Sequence, residues 1–96
     1  MDSRQTFGKA LQQIRKTRNL TQEDFSAVSS RTYLSTLERG LKSPTLEKIE
    51  MLCQTMDVHP LTLLTLTYLQ GQKGNHLDKL QKKIEKEIIR IQQSSP

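Results

Sequence analysis

Apolar residues in this chain recur at three- and four-residue intervals, and no stretch alternates as a half-buried strand would. The runs are short and closely punctuated. Between Thr21 and Gly40, TQEDFSAVSSRTYLSTLERG has room only for two short helices and a tight turn. Phe25 and Val28 face inward from the first, Leu34 and Leu37 from the second. Helices this short are not stable alone, so the remaining segments must cover their apolar sides. The expected fold class is all-α.

The other segments read as helices in turn. The first spans Arg4 to Arg18, with Phe7, Leu11 and Ile14 at i, i+4 and i+7 and Ala10 beside them. Arg15, Lys16 and Arg18 suit the negative end of its dipole, Asn19 ends it, and Leu20 is the next buried anchor. Thr21 caps the second helix, with Asp24 completing a weak capping box. Ser29-Ser30 makes the break, and Ser30 caps a third helix over Arg31–Arg39 that Gly40 stops. After the loop Leu41-Lys42-Ser43, either Ser43 or Thr45 can cap a fourth helix, Pro44 fitting a first turn in the former case. That helix buries Leu46, Ile49, Leu52, Cys53 and Met56 and ends near Asp57-Val58. His59-Pro60 opens a fifth, Leu61 to about Gln70, which is apolar on two sides. Leu61, Leu64 and Tyr68 form one row; Leu63, Leu66 and Leu69 form the other. One row serves the core and the second needs another partner. Residues 71–74 are a flexible linker, and Asn75 caps a sixth helix to about Gln93. Its stripe of Leu77, Leu80, Ile84, Ile88 and Ile91 steps by 3, 4, 4 and 3. At 1.5 Å per residue it is roughly 27 Å long. The expected organisation is a domain over 1–70, the linker 71–74, and a C-terminal amphipathic helix over 75–96.

Charge narrows the partners. Of the formal net +5, residues 1–43 carry +4 from eight Lys/Arg and four Asp/Glu, and residues 75–96 carry +2 from five and three. Excess cations on the short helix pair suit a phosphate backbone. The densest apolar run, Leu61 to Leu69, is too short to span a bilayer, and the N-terminus MDSRQTF is polar. The single Cys53 lies on a core stripe and fits a reducing compartment, so a cytoplasmic location is expected. His59 and His76 lack ligand neighbours, and the sequence holds no Ser/His/Asp set, catalytic carboxylate pair or Gly-rich phosphate loop. The expectation is a non-enzyme with no metal, no cofactor and no evident small-molecule ligand.

LTQEDF, LSTLERG and SPTLEKIEMLCQTMDV, in that order, resemble the Cro/lambda-repressor-like domain, or XRE family, over about Phe7 to Leu69. The nearest subgroup is small bacterial, phage or plasmid regulators, including restriction-modification controllers. The resemblance implies a five-helix domain whose second and third helices form a helix-turn-helix, here followed by an extra sixth helix. It implies that helix 31–39 enters the major groove of double-stranded DNA. Arg31, Thr32 and Thr36 lie opposite Leu34 and Leu37 and are the expected base contacts. Gln22, Ser30, Tyr33, Ser35, Arg39, Lys42 and Ser43 are the expected backbone contacts, with carbonyl capping the alternative for Arg39 and packing that for Tyr33. The family position matching Gln22 binds a phosphate and braces the recognition helix. The positions matching Arg15 and Glu38 form a buried ion pair. One departure stands out: Phe25 to Ser30 is about two residues shorter than the family spacing, so the second helix should lose part of its last turn or the turn should tighten.

One recognition helix reads about half a turn of groove, so a palindromic operator calls for a homodimer. Two surfaces could form it: the row Leu63, Leu66 and Leu69, or the stripe Leu77, Leu80, Ile84, Ile88 and Ile91, which could instead fold back on its own domain. The expected function is a transcriptional repressor. The alternative is a protein-interaction module, such as an antitoxin or anti-repressor, that uses the last two helices.

Overall fold

A computed structural model describes residues 2–94. The expected segment 75–96 therefore runs two residues past the described chain. Five α-helices and one 3-10 turn follow in order: α1 (Ser3–Thr17), the turn Gln22–Phe25, α2 (Arg31–Glu38), α3 (Leu46–Met56), α4 (Pro60–Leu69) and α5 (His76–Ser94). The described residues include no strand.

The caps explain the boundaries. Asp2 and Gln5 form a capping box that starts α1 one residue before the expected Arg4. Asn19, at φ 59°, turns the chain out of it. Thr45 rather than Ser43 caps α3, its hydroxyl accepting from the Lys48 amide at 3.1 Å. Asp57 closes α3 in the left-handed conformation. At the start of α4, His59 Nδ1 accepts from the Leu61 amide at 2.9 Å, with Pro60 in the first turn.

One core joins the first four helices and the 3-10 turn. Leu11, Phe25, Leu34, Leu37, Leu52, Cys53 and Leu63 are fully buried, and Phe7, Ala10, Ile14, Ile49 and Met56 complete the cluster. α1 is its hub and packs mainly against α4 and α2. Gly8 makes the second contact possible, since a Cβ there would lie 2.5 Å from the carbonyl oxygens of both Leu37 and Glu38. Gly40, at φ 75°, turns the chain after α2 over the backbone of Gln5.

Three sequence expectations change. The second helix is reduced to a single four-residue 3-10 turn, followed by turns through Ser29. Phe25 must stay in the core and Ser30 must cap α2, and too few residues separate them for another helical turn. Leu46 is 67% exposed, because the first position of α3 has only just left the exposed 41–45 loop. Finally, α4 turns Leu63 and Thr67 inward rather than a row of leucines. Thr67 donates its hydroxyl to the Leu63 carbonyl at 2.8 Å, so it can present its methyl to the core. Leu63 is thus a core residue and is not available for dimerisation. Leu66 and Leu69 stay half-buried, while Leu61 and Tyr68 face outward. No residue of α5 is buried.

Candidate nucleic-acid interface

The shortened turn is braced from both ends. Thr21 Oγ1 accepts from the Asp24 amide at 3.3 Å, and the Asp24 carboxylate accepts from the Thr21 amide at 2.7 Å. The Ser26 amide donates to Glu23, and the Val28 and Ser29 amides donate to Phe25. The Val28 carbonyl has no helical turn beyond it. Lys48, reaching across from α3, donates its ammonium to that carbonyl at 2.6 Å. The same ammonium lies 5.5 Å from the centroid of the Tyr33 ring. One lysine therefore ties the turn to α3 and to the first turn of α2.

The other end of α2 is held by a charged hub. Arg15 Nε and Nη2 donate to the two Glu38 oxygens at 2.6 and 2.9 Å in a fork, and Arg15 Nη1 donates to the Leu20 carbonyl at 2.9 Å. Gln22 and Gln12 add amide donors to Glu38 Oε1 at 3.2 and 3.5 Å. The Arg15 and Glu38 side chains are only 10% and 3% exposed. Hydrogen bonding to Glu38 raises the Arg15 pKa against an opposing effect of burial, so the guanidinium stays charged. Glu38 is thus consumed by α1 and the turn and does not point at solvent.

With both ends fixed, the outer face of α2 is defined. Gln22, Arg31, Thr32, Ser35 and Arg39 line one shallow polar concavity. Arg31, Thr32 and Arg39 are exposed, while Ser35 and Thr36 are half-buried. Thr36 donates its hydroxyl to the Thr32 carbonyl at 2.8 Å, which leaves its methyl and an oxygen lone pair for any outside contact. Ser30 Oγ accepts from the Tyr33 amide at 3.0 Å, so its own proton remains available. Arg39 Nε donates to the Ser35 carbonyl at 3.4 Å, the carbonyl-capping geometry. Tyr33 is half-buried against Lys48 rather than aligned with the concavity. Lys42 and Ser43 are exposed in the following loop. Gln12 and Lys48 are site-supporting residues that sequence reasoning missed. Lys48 has a signal in hindsight: a turn cut short leaves carbonyls without helical donors, and some cation must then reach them.

A second concave surface lies between α4 and α5. Leu61, Leu66, Leu69 and Leu77 supply its apolar lining, with His59 and Gln81 at the margin. Away from both surfaces, Cys53 is fully buried, and burial pushes its thiol pKa up to about 11.

A family model described as helix-turn-helix matches residues 11–63, which include the turn, α2 and α3 entire. The chain belongs to the XRE-type helix-turn-helix family. That family is one of DNA-binding transcriptional regulators. An uncharacterized HTH-type transcriptional regulator of Sinorhizobium fredii is 39% identical over 69 residues, covering 70% of this chain and 90% of that protein. The control protein C.BamHI of Bacillus amyloliquefaciens is 38% identical over 64 residues, covering 64% of this chain and 79% of that one. Among solved structures, the restriction-modification controller protein C.AhdI from Aeromonas hydrophila superposes with a TM-score of 0.60 at 29% identity, over 62% of this chain and 94% of its own. No described helix of this XRE-type chain is long and apolar enough to cross a membrane.

Proposed function

We propose that this protein is a sequence-specific transcriptional regulator of the restriction-modification controller kind, acting as a repressor on a palindromic operator as a homodimer. The observation that carries the reading is the concavity that Gln22 of the 3-10 turn forms with Arg31, Thr32, Ser35 and Arg39 along α2, a helix locked at both ends. In this reading Arg31 forks onto the O6/N7 edge of guanine, and Thr32 and Thr36 meet neighbouring base edges or a thymine methyl. Gln22 stays on Glu38 and turns its amide oxygen and second N–H toward the backbone. Ser30, Ser35, Lys42 and Ser43 contact phosphates or sugars, and these contacts set register rather than sequence. Likeness to two controller proteins supports the biological setting.

Fluorescence anisotropy of the full chain on a random duplex, over a series of salt concentrations, tests the reading. Phosphate neutralisation predicts a linear fall of log affinity with log salt. Absence of binding at low salt would reject it in favour of a protein-interaction module built on α4 and α5.

A further inference from the structure

The α5 helix presents an apolar stripe that its own chain covers only near its N-terminal end, where Leu80 is half-buried and Leu77 lines the groove with α4. Leu77, Ile84, Ile88 and Ile91 are 45%, 39%, 48% and 64% exposed, and no α5 residue is buried. The family match ends at residue 63, before this helix begins. The stripe repeats after eleven residues, Leu77 to Ile88 and Leu80 to Ile91. Eleven residues in three turns is 3.67 per turn, close to the helix's own 3.6, so the stripe runs nearly straight along α5.

The two edges of the stripe carry opposite charge. At 3.6 residues per turn, one edge holds Asp78 and Glu85 with Gln81 and Gln92. The other holds Lys79, Lys83 and Arg90 with Glu87, three positive charges less one negative. Asp78 also meets Lys82 at 3.0 Å, in an exposed pair that contributes little. Two identical helices packed in parallel set each edge against the partner's opposite edge, −2 against +2. Packed antiparallel, each edge faces its own copy, and Glu85 approaches Glu85 of the other copy. By net edge charge the parallel orientation is therefore complementary and the antiparallel one sets like against like.

Resting on the homodimer reading, we propose that α5 is the dimerisation element, pairing in parallel and in register with α5 of a second copy. Leu77 belongs both to the stripe and to the α4–α5 groove with Leu61, Leu66 and Leu69. A parallel pair brings the two grooves together at the N-terminal end of the helices, so groove and stripe form one continuous surface. It also places both folded domains at that end, with two recognition helices related by a single twofold axis.

Cysteine cross-linking of the full chain tests this. Leu77→Cys and Ile91→Cys are made separately and oxidised mildly; the parent, whose Cys53 is buried, is the control. Parallel pairing predicts a disulfide-linked dimer from each variant alone and none from the parent. An antiparallel pair would link only when the two variants are mixed, because like positions would lie roughly 20 Å apart along the axis, and that result overturns the proposal. A parent that sediments as a dimer while neither variant links places the interface elsewhere, which overturns the role of α5 but leaves the homodimer standing. A parent that stays monomeric at all concentrations overturns both. Ile84→Glu is expected to abolish the dimer without changing the unfolding transition of the α1–α4 core.

Discussion

Replacing Glu38 by glutamine keeps the shape of the side chain and removes its charge. The carboxylate accepts four hydrogen bonds, from Arg15 Nε and Nη2, Gln22 and Gln12. An amide offers one oxygen for the same donors and turns an NH2 group toward the others. The Arg15 guanidinium is left charged in a site where its side chain is 10% exposed. Stranding one member of a buried pair costs ~3–5 kcal/mol. Arg15 keeps the Leu20 carbonyl, so the lower end applies, about 3 kcal/mol. For a domain of this size that lowers Tm by on the order of 10–20 °C. Urea and thermal unfolding followed by circular dichroism measure it. The double variant R15M/E38L should lose much less than the sum of R15M and E38L, because removing both charges leaves neither unpaired. A Glu38→Gln variant within about 1 kcal/mol of the parent would refute the hub. So would tighter binding to random DNA without loss of stability, since that is what relief of a surface acid facing phosphates would produce.

Gly8→Ala should loosen the contact between α1 and α2, because the new methyl would sit 2.5 Å from two backbone oxygens; a loss of ~1–3 kcal/mol in urea unfolding is expected. Lys48→Met removes a charge-assisted hydrogen bond, worth ~1.5–3 kcal/mol, and should speed amide exchange at residues 26–31 more than in α1; Lys48→Arg should restore part of the protection. The Cys53 thiol has a folded pKa of about 11 against 9.0 unperturbed. The folded state therefore holds its proton where the unfolded state releases it, and stability falls as pH rises from 9 toward 11. Unfolding in urea at both pH values checks this, with Cys53→Ala as the variant that should lose that component of the pH dependence.

Much of the fold was legible because short helices advertise their ends. Asn19, Thr21, Ser30, Gly40 and Pro60 mark boundaries through local chemistry that tertiary packing leaves alone. The Arg15–Glu38 pair was readable only through the family resemblance, since nothing local links residues 23 apart. Two features were not read, or were read only in part, for physical reasons. The inward face of α4 pairs Leu63 with Thr67, and a threonine that satisfies its own hydroxyl behaves as an apolar residue that a count of leucines misses. The loss of nearly the whole second helix follows from two tertiary demands, Phe25 in the core and Ser30 at the cap, acting on one short segment. Its replacement brace, Lys48, comes from a residue 20 positions away, so the link appears only once α3 is folded against the turn.

In the proposed function α2 reads bases through Arg31 while its surroundings hold the backbone. The most direct measurement selects bound sequences from a random duplex pool with the parent, Arg31→Ala and Lys42→Ala. The parent should yield a palindrome with two half-sites about one helical turn apart. Arg31→Ala should lose preference at one guanine position in each half-site, at a cost of ~1–3 kcal/mol there. Lys42→Ala should keep the same palindrome, bind all duplexes more weakly, and lower the salt slope by about one. Unchanged preference in Arg31→Ala, with altered preference in Lys42→Ala, would contradict the assignment of α2 as the reading helix.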